Sequence, residues 1–173
     1  DGGPHPVVRR VLQHLLTRLG DLARDADNAD ALLEVAERAS ALFGRAVAGH
    51  PDPVSLARWV VGFRVEYGGW PSLTLEAVAH AFDEPAWDAY RAGVATLGGG
   101  GPAADPYPSE IDRMLLELAD HDGDVERAVA LLSGGDRPYY REIFRRLRDA
   151  GRPADILAWL DQAVTQGCVD VAW

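Results

Sequence analysis

Lysine is missing altogether from this chain of 173 residues: its 17 basic side chains are all arginines, set against 27 aspartates and glutamates for a formal net charge of −10. Such an excess repels phosphate backbones and anionic membranes at long range, so general affinity for either is disfavoured unless the arginines gather on one face. Cysteine occurs once, at Cys168, which rules out an internal disulfide and a thiolate-rich zinc site within the chain. No run approaches the roughly 20 apolar residues of a membrane span. Asp1-Gly2-Gly3-Pro4 lacks both the charge and the apolar stretch of a signal peptide, and the expected setting is cytoplasmic, without membrane association.

The motifs of common chemistries are missing too. No two of His5, His14, His50, His80 and His121 stand at the i, i+4 spacing that would turn both imidazoles toward one metal ion. The acidic run from Asp120 to Asp124 departs from a calcium loop, because its twelfth position is Leu131 where a bidentate glutamate is needed. It reads instead as a helix end followed by an N-cap. Asp25-Ala26-Asp27-Asn28 fails the same test at Ala36. There is no G-x-S-x-G elbow and no glycine loop opening a helix after a strand, and the run Gly98 to Gly101 is followed by Pro102, Pro106 and Pro108. Cys168 reads as a structural thiol, and the tryptophans Trp59, Trp70, Trp87, Trp159 and Trp173 mostly as core. No catalytic residue, metal ligand or cofactor is expected.

What is present is helical periodicity from end to end. Hydrophobic residues make up 47% of the chain, too many for a disordered segment, and they recur at the 3.6-residue period. Val8, Val11, Leu12, Leu15 and Leu19 form one stripe; Leu32, Val35, Ala36, Ala39 and Phe43 form a second, with Asp25 to Asp30 as the turn between them. Asp52-Pro53 predicts an N-cap and first turn before Leu56, Trp59, Val60, Phe63 and Tyr67. Thr74 opens a short helix, Asp83 with Pro85 opens the next, and Ser109 with Asp112 predicts a capping box. The Gly/Pro stretch 98–108 divides an N-terminal lobe, 1–97, from a C-terminal lobe, 109–173, the two reading as one continuous helical repeat.

Sliding the chain by 28 positions lays Leu115 on Ile143, Ala119 on Leu147, Gly123 on Gly151, Ala128 on Ile156, Val129 on Leu157 and Leu132 on Leu160. Each unit is a helix, a glycine turn and a second helix, which cannot bury its apolar stripe until it stacks on a neighbour. The expected fold is all-α: stacked antiparallel helical hairpins, solenoid-like in the manner of tetratricopeptide repeats.

Arg141, Arg145, Arg148 and Arg152, at i, i+4, i+7 and i+11, predict a guanidinium stripe opposite Ile143, Phe144 and Leu147, thickened by Arg137 and Arg146. Such a stripe suits a carboxylate- or phosphate-bearing partner. It equally suits internal pairing with acidic residues of the preceding hairpin.

Pro138-Tyr139-Tyr140 and Arg146-Leu147-Arg148-Asp149-Ala150-Gly151-Arg152 through Trp159 resemble the C-terminal helical-repeat region of bacterial SWIM zinc-finger proteins, as does Gly69-Trp70-Pro71-Ser72-Leu73 through Arg91. The finger itself needs a C-x-C…C-x-H ligand set that this chain lacks, so metal and DNA binding are not carried over. The resemblance implies an accessory helical module. Together these readings predict a non-catalytic interaction module or scaffold whose partner is another protein. The alternatives are an enzyme with a site assembled between the lobes from dispersed His, Asp and Glu, and a nucleic-acid-associated accessory domain. Elemental analysis of purified protein is expected to find well under one zinc per chain; one tightly held zinc would show that scattered histidines and Cys168 converge in space.

Overall fold

The computed structural model describes residues 6–25, 29–98, 109–134 and 138–165, and every regular element within them is helical, with no strand. The chain divides into two compact units, residues 1–98 and 99–173. His5, Arg137, Cys168, Trp173 and the Gly/Pro stretch from Gly99 onward lie outside the described residues.

In the first unit α1 (Pro6–Asp25) packs on α2 (Ala29–Ala46), and α3 (Pro53–Glu66) packs on α5 (Glu84–Thr96). Between those two, the short α4 (Leu75–Val78) continues into a 3₁₀ turn and lies against α2. The helix starts follow from their caps. Asp52 accepts the Ser55 amide at 3.0 Å with Pro53 in the first turn, and Asp83 accepts the Ala86 amide at 3.0 Å. Each bond satisfies an amide that the helix leaves without an internal partner. Thr74 occupies the N-cap of α4 without a side-chain bond.

Phe43, Val47, Val60, Val78, Tyr90 and Val94 are fully enclosed in this unit. An aromatic file runs beside them, from Phe43 to Trp59, Phe63 and Tyr67, with successive centroids 5.1, 4.9 and 5.0 Å apart. Trp59 and Phe63 come from one face of α3, and Tyr67, its C-cap residue, follows at the same four-residue spacing. Arg64 is 3% exposed and donates to the Tyr90 hydroxyl at 3.4 Å. Tyr67 ties α1 to α3: its hydroxyl donates to Asp21 at 2.8 Å, and the Arg24 guanidinium lies 5.0 Å from its ring while donating to the Glu66 carbonyl. Gly20 is what lets the ring approach, since a Cβ there would stand 2.4 Å from it.

The second unit contains α6 (Glu110–Asp122), α7 (Val125–Ser133), α8 (Tyr140–Asp149) and α9 (Pro153–Thr165), each packed on the next. The capping box of Ser109 and Asp112 opens α6 as predicted. Gly123 ends α6 at φ +69° and Gly151 follows α8 at φ +68°, a left-handed conformation that glycine adopts without steric cost. The same hydrogen bond closes both turns: the Asp124 amide to the Ala119 carbonyl at 2.9 Å, and the Arg152 amide to the Leu147 carbonyl at 2.8 Å. These four residues stand 28 apart in pairs, so the shift found in the sequence is a shift between equivalent turns. Leu132, Ile143 and Leu147 are the buried centre, with Val129, Phe144, Ile156 and Trp159 packed around them. Each buried aliphatic contributes about 1.5–3 kcal/mol.

Two helix faces differ from the sequence reading. On α1 the buried side is Leu12, Leu16 and Leu19 with Gly20, while Val8, Val11 and Leu15 are exposed, as is Val35 on α2. The apolar arc of α1 exceeds half its circumference, and its neighbours cover only one part. The arginine stripe also changes: α8 stops at Asp149 and the left-handed Gly151 turns the chain, so Arg152 stands at the start of α9 rather than on the helix that carries Arg141, Arg145 and Arg148.

Two substitutions test this packing. Gly20→Ala is expected to lower stability by about 1–3 kcal/mol despite alanine's better helix propensity, because the Tyr67 ring has to move. Ser40→Ala is expected to raise it by about 1 kcal/mol, since the Ser40 hydroxyl is buried with no hydrogen-bond partner. Urea unfolding of both variants checks the two signs.

Candidate functional site

The predicted arginine face is assembled by α8 and the turn that follows it, and most of its charge is already matched. Arg145 donates to Glu142 at 2.9 Å and Arg148 to Asp149 at 3.1 Å, both on their own helix. Arg152 holds Asp155 at 2.6 Å and also pairs with Glu126 of α7. Arg141 is exposed, with no ion pair to any described residue.

Arg146, only a thickening of the stripe in the sequence, is the best-held cation of the group. Its side chain is 9% exposed. The guanidinium grips Asp120 of α6 through two bonds of 2.8 and 2.7 Å and reaches Glu142 at 2.8 Å. The forked geometry uses both carboxylate oxygens of Asp120, the strongest form of such a pair. Hydrogen bonds from Arg145 and then Arg146 hold the Glu142 carboxyl below the usual glutamate range, partly offset by desolvation. Asp120 and Glu142 in turn raise Arg146 above its ordinary value.

Arg141, Arg145, Arg146, Arg148 and Arg152 thus share their surface with Asp120, Glu126, Glu142, Asp149 and Asp155, a locally neutral mosaic. A phosphate-bearing ligand has to break existing pairs before it gains new ones. The acidic residues of the preceding hairpin supply Asp120 and Glu126, which is the internal pairing the sequence allowed.

Beside this mosaic lies an open cleft of ≈ 280 Å³ between α7 and α9. Leu147 of α8 lines it together with Val129 and Ala130 from α7 and Ala158 and Trp159 from α9; Glu126, Arg152 and Asp155 are its charged members. The two walls have the same construction. Glu126, Val129 and Ala130 stand at i, i+3, i+4, as do Asp155, Ala158 and Trp159, so each helix presents one acid and two apolar positions on one face. That paired spacing was the available sequence signal for the cleft. Among the described residues no three His, Cys, Asp or Glu side chains come together as a metal site, and no helix is long and apolar enough to cross a membrane. His14, His80 and His121 are exposed on separate helices. His50 accepts the Asp52 amide at 3.1 Å through Nδ1, and its partial burial lowers its basicity.

Compared with known proteins, the chain matches no family model, no curated protein and no solved structure at a significant level.

The pairing predicts unequal mutational effects. Arg146→Ala is expected to cost about 1–3 kcal/mol, because it strips two carboxylates of their shared partner. Arg148→Ala, whose pair is exposed, is expected to cost about 0–1 kcal/mol. The lowered Glu142 carboxyl contributes stability that is present above the ordinary glutamate range and is lost as pH falls from that range through the lowered native value. Urea midpoints measured from neutral to acid pH should therefore decline less steeply in Glu142→Gln than in the wild type. Equal losses in the two arginine variants would show that Arg146 is not the tie between α6 and α8.

Proposed function

We infer that this chain is a non-catalytic helical-repeat module that seats a segment of another protein in the cleft between α7 and α9. The observation that carries this reading is the cleft: half-open, floored by Leu147, walled by apolar side chains and rimmed by Glu126 and Asp155, which share Arg152. Its volume lies just under the roughly 300–1,000 Å³ typical of small-molecule sites, which suits one or two anchoring side chains better than an enclosed substrate. Such a trough between alternate helices is how stacked hairpins commonly recognise peptides. The tetratricopeptide-like and cytoplasmic assignments, and the kinship with SWIM-associated helical regions, belong to the same proposal. In it the LR-x-A-G-R segment is the turn that sets α9 on α8.

The arginine face then acts at the rim rather than as the main contact. Arg141 and the outward parts of Arg145 and Arg148 select against basic partners and contribute to encounter rates more than to affinity. Nucleic-acid binding is disfavoured by the matched carboxylates as well as by the net charge.

A photo-crosslinking residue in place of the exposed Ala158 is expected to give one discrete protein adduct in cells, whereas one at the exposed Glu37 of α2 gives none. Ala130→Arg, which fills the cleft from its other wall, is expected to abolish the adduct while moving the thermal midpoint little, since exposed positions tolerate change within about 0.5 kcal/mol. With the purified partner, Trp159 emission should shift on binding. Crosslinking at Ala158 no stronger than at Glu37 would end the reading.

A further inference from the structure

Within the first unit, the pair formed by α1 and α2 leaves an apolar strip in solvent. Val8, Val11, Leu15 and Leu22 of α1 and Val35 and Leu42 of α2 are 38–59% exposed. Because α2 starts at Ala29, close behind the end of α1 at Asp25, and packs on it, the two helices run antiparallel.

The order of faces round each helix places the strip. On α1, at about 100° per residue, it runs from Gly20, which meets the Tyr67 ring, through buried Leu16, Leu12 and Leu19 to exposed Val8, Leu15, Leu22 and Val11, and then to Arg18. On α2 it runs from Phe43, which meets Trp59 of α3, through buried Ala39 and Ala46 to exposed Val35 and Leu42, and then to Arg38. Both orders turn in the same sense. For antiparallel neighbours this brings the two exposed flanks together, on the side of the pair turned away from α3.

The strip has an arginine on each bank. Leu15, Arg18 and Leu22 stand at i, i+3, i+7, and Val35, Arg38 and Leu42 repeat that spacing. Each arginine has a carboxylate of its own helix beyond it, farther round from the strip: Asp21 at 3.6 Å from Arg18, and Glu34 at 3.9 Å from Arg38. All four side chains are at least 40% exposed. Ion pairs in water are weak, so each guanidinium is free to turn toward a carboxylate arriving over the strip.

We propose that this face receives an amphipathic helix of another protein, apolar along one stripe and bearing Asp or Glu on both edges of that stripe. Val8 to Leu22 span about 21 Å of α1, room for roughly four turns of a partner. Charge selects the occupant. A second copy, strip to strip, would set the arginines of one face against those of the other. An anionic membrane presents a plane of charge to the whole side of a protein of net charge −10, whereas a single helix, within a screening distance of about 8 Å, meets the Arg18 and Arg38 banks first. The cleft between α7 and α9 belongs to the second unit and takes no part. Glu37 lies on the far side of α2 from the strip and touches neither site.

Fluorescence anisotropy of labelled synthetic helices with the full chain tests it. The first probe is a peptide of about 20 residues with leucine at i, i+3, i+7 and glutamate on both edges of that stripe; a second carries lysine for each glutamate, and a third scrambles the first. The wild type is expected to bind the acidic helix about tenfold or more tightly than either of the others, and less tightly as salt rises. Leu15→Ser with Leu42→Ser is expected to weaken that binding about tenfold or more, with a thermal midpoint near the wild-type value because both positions are exposed. Arg18→Glu with Arg38→Glu is expected to reverse the preference toward the lysine helix, a gain that a misfolded chain could not show. Ala130→Arg, which blocks the cleft, should leave the affinity unchanged. Equal binding of the acidic and lysine helices overturns the proposal, as does binding that survives in Leu15→Ser with Leu42→Ser or is lost in Ala130→Arg. Attachment to vesicles of phosphatidylcholine and phosphatidylserine, or self-association in sedimentation velocity, overturns it too if the serine pair abolishes either one.

Discussion

The hydrogen bond from the Arg152 amide to the Leu147 carbonyl, closed across the left-handed Gly151, sets the direction in which α9 leaves α8. The arrangement of the second unit's last two helices follows from that direction. Once the chain reverses there, Leu147 lies between two layers: it belongs to the buried centre with Leu132 and Ile143, and it also forms part of the lining of the cleft. A side chain at Gly151 would be strained at φ +68° whatever space surrounded it. The resulting shift in α9 would reach the core and the cleft together.

The electrostatics follow the same geometry. Because α8 lies against α7 and follows the first hairpin at a fixed register, two cross-ties of equal sequence separation form: Asp120 with Arg146 and Glu126 with Arg152. The register also shows a substitution of chemistry at equivalent places. Met114 and Leu118 on α6 are buried apolar side chains, whereas their counterparts on α8 are Glu142 and Arg146, joined to each other. An ion pair in place of two hydrophobes adds less stability but is more selective about geometry, since a guanidinium fork accepts its carboxylates from few directions.

Much of this was legible in the chain because the signals were local. The caps at Asp52, Asp83, Ser109 and Asp124 depend on residues three positions apart, and the two glycine turns are named by their neighbours. The helical class needed only periodicity. The faces of α1 and α2 were less legible, because an apolar arc wider than its neighbours can cover does not say which part will be covered; Leu16 and Gly20 are buried, and Val11 is not, because of where α2 and Tyr67 lie. Arg152 was misplaced by extending a helical spacing through a glycine. The cleft was present as the matched spacing of Glu126, Val129 and Ala130 with Asp155, Ala158 and Trp159, but its meaning required knowing that α7 and α9 stand on either side of Leu147.

The equivalence of the turns at Gly123 and Gly151 makes length a variable that can change in fixed steps. A tandem duplication of the 28 codons between equivalent points would add one helix, one glycine turn and one more helix. Such an insertion keeps the helix–turn–helix phase, unlike an insertion of arbitrary size, which would rotate every later helix out of phase. In a fold of this kind gene-level slippage and structural tolerance share the same unit.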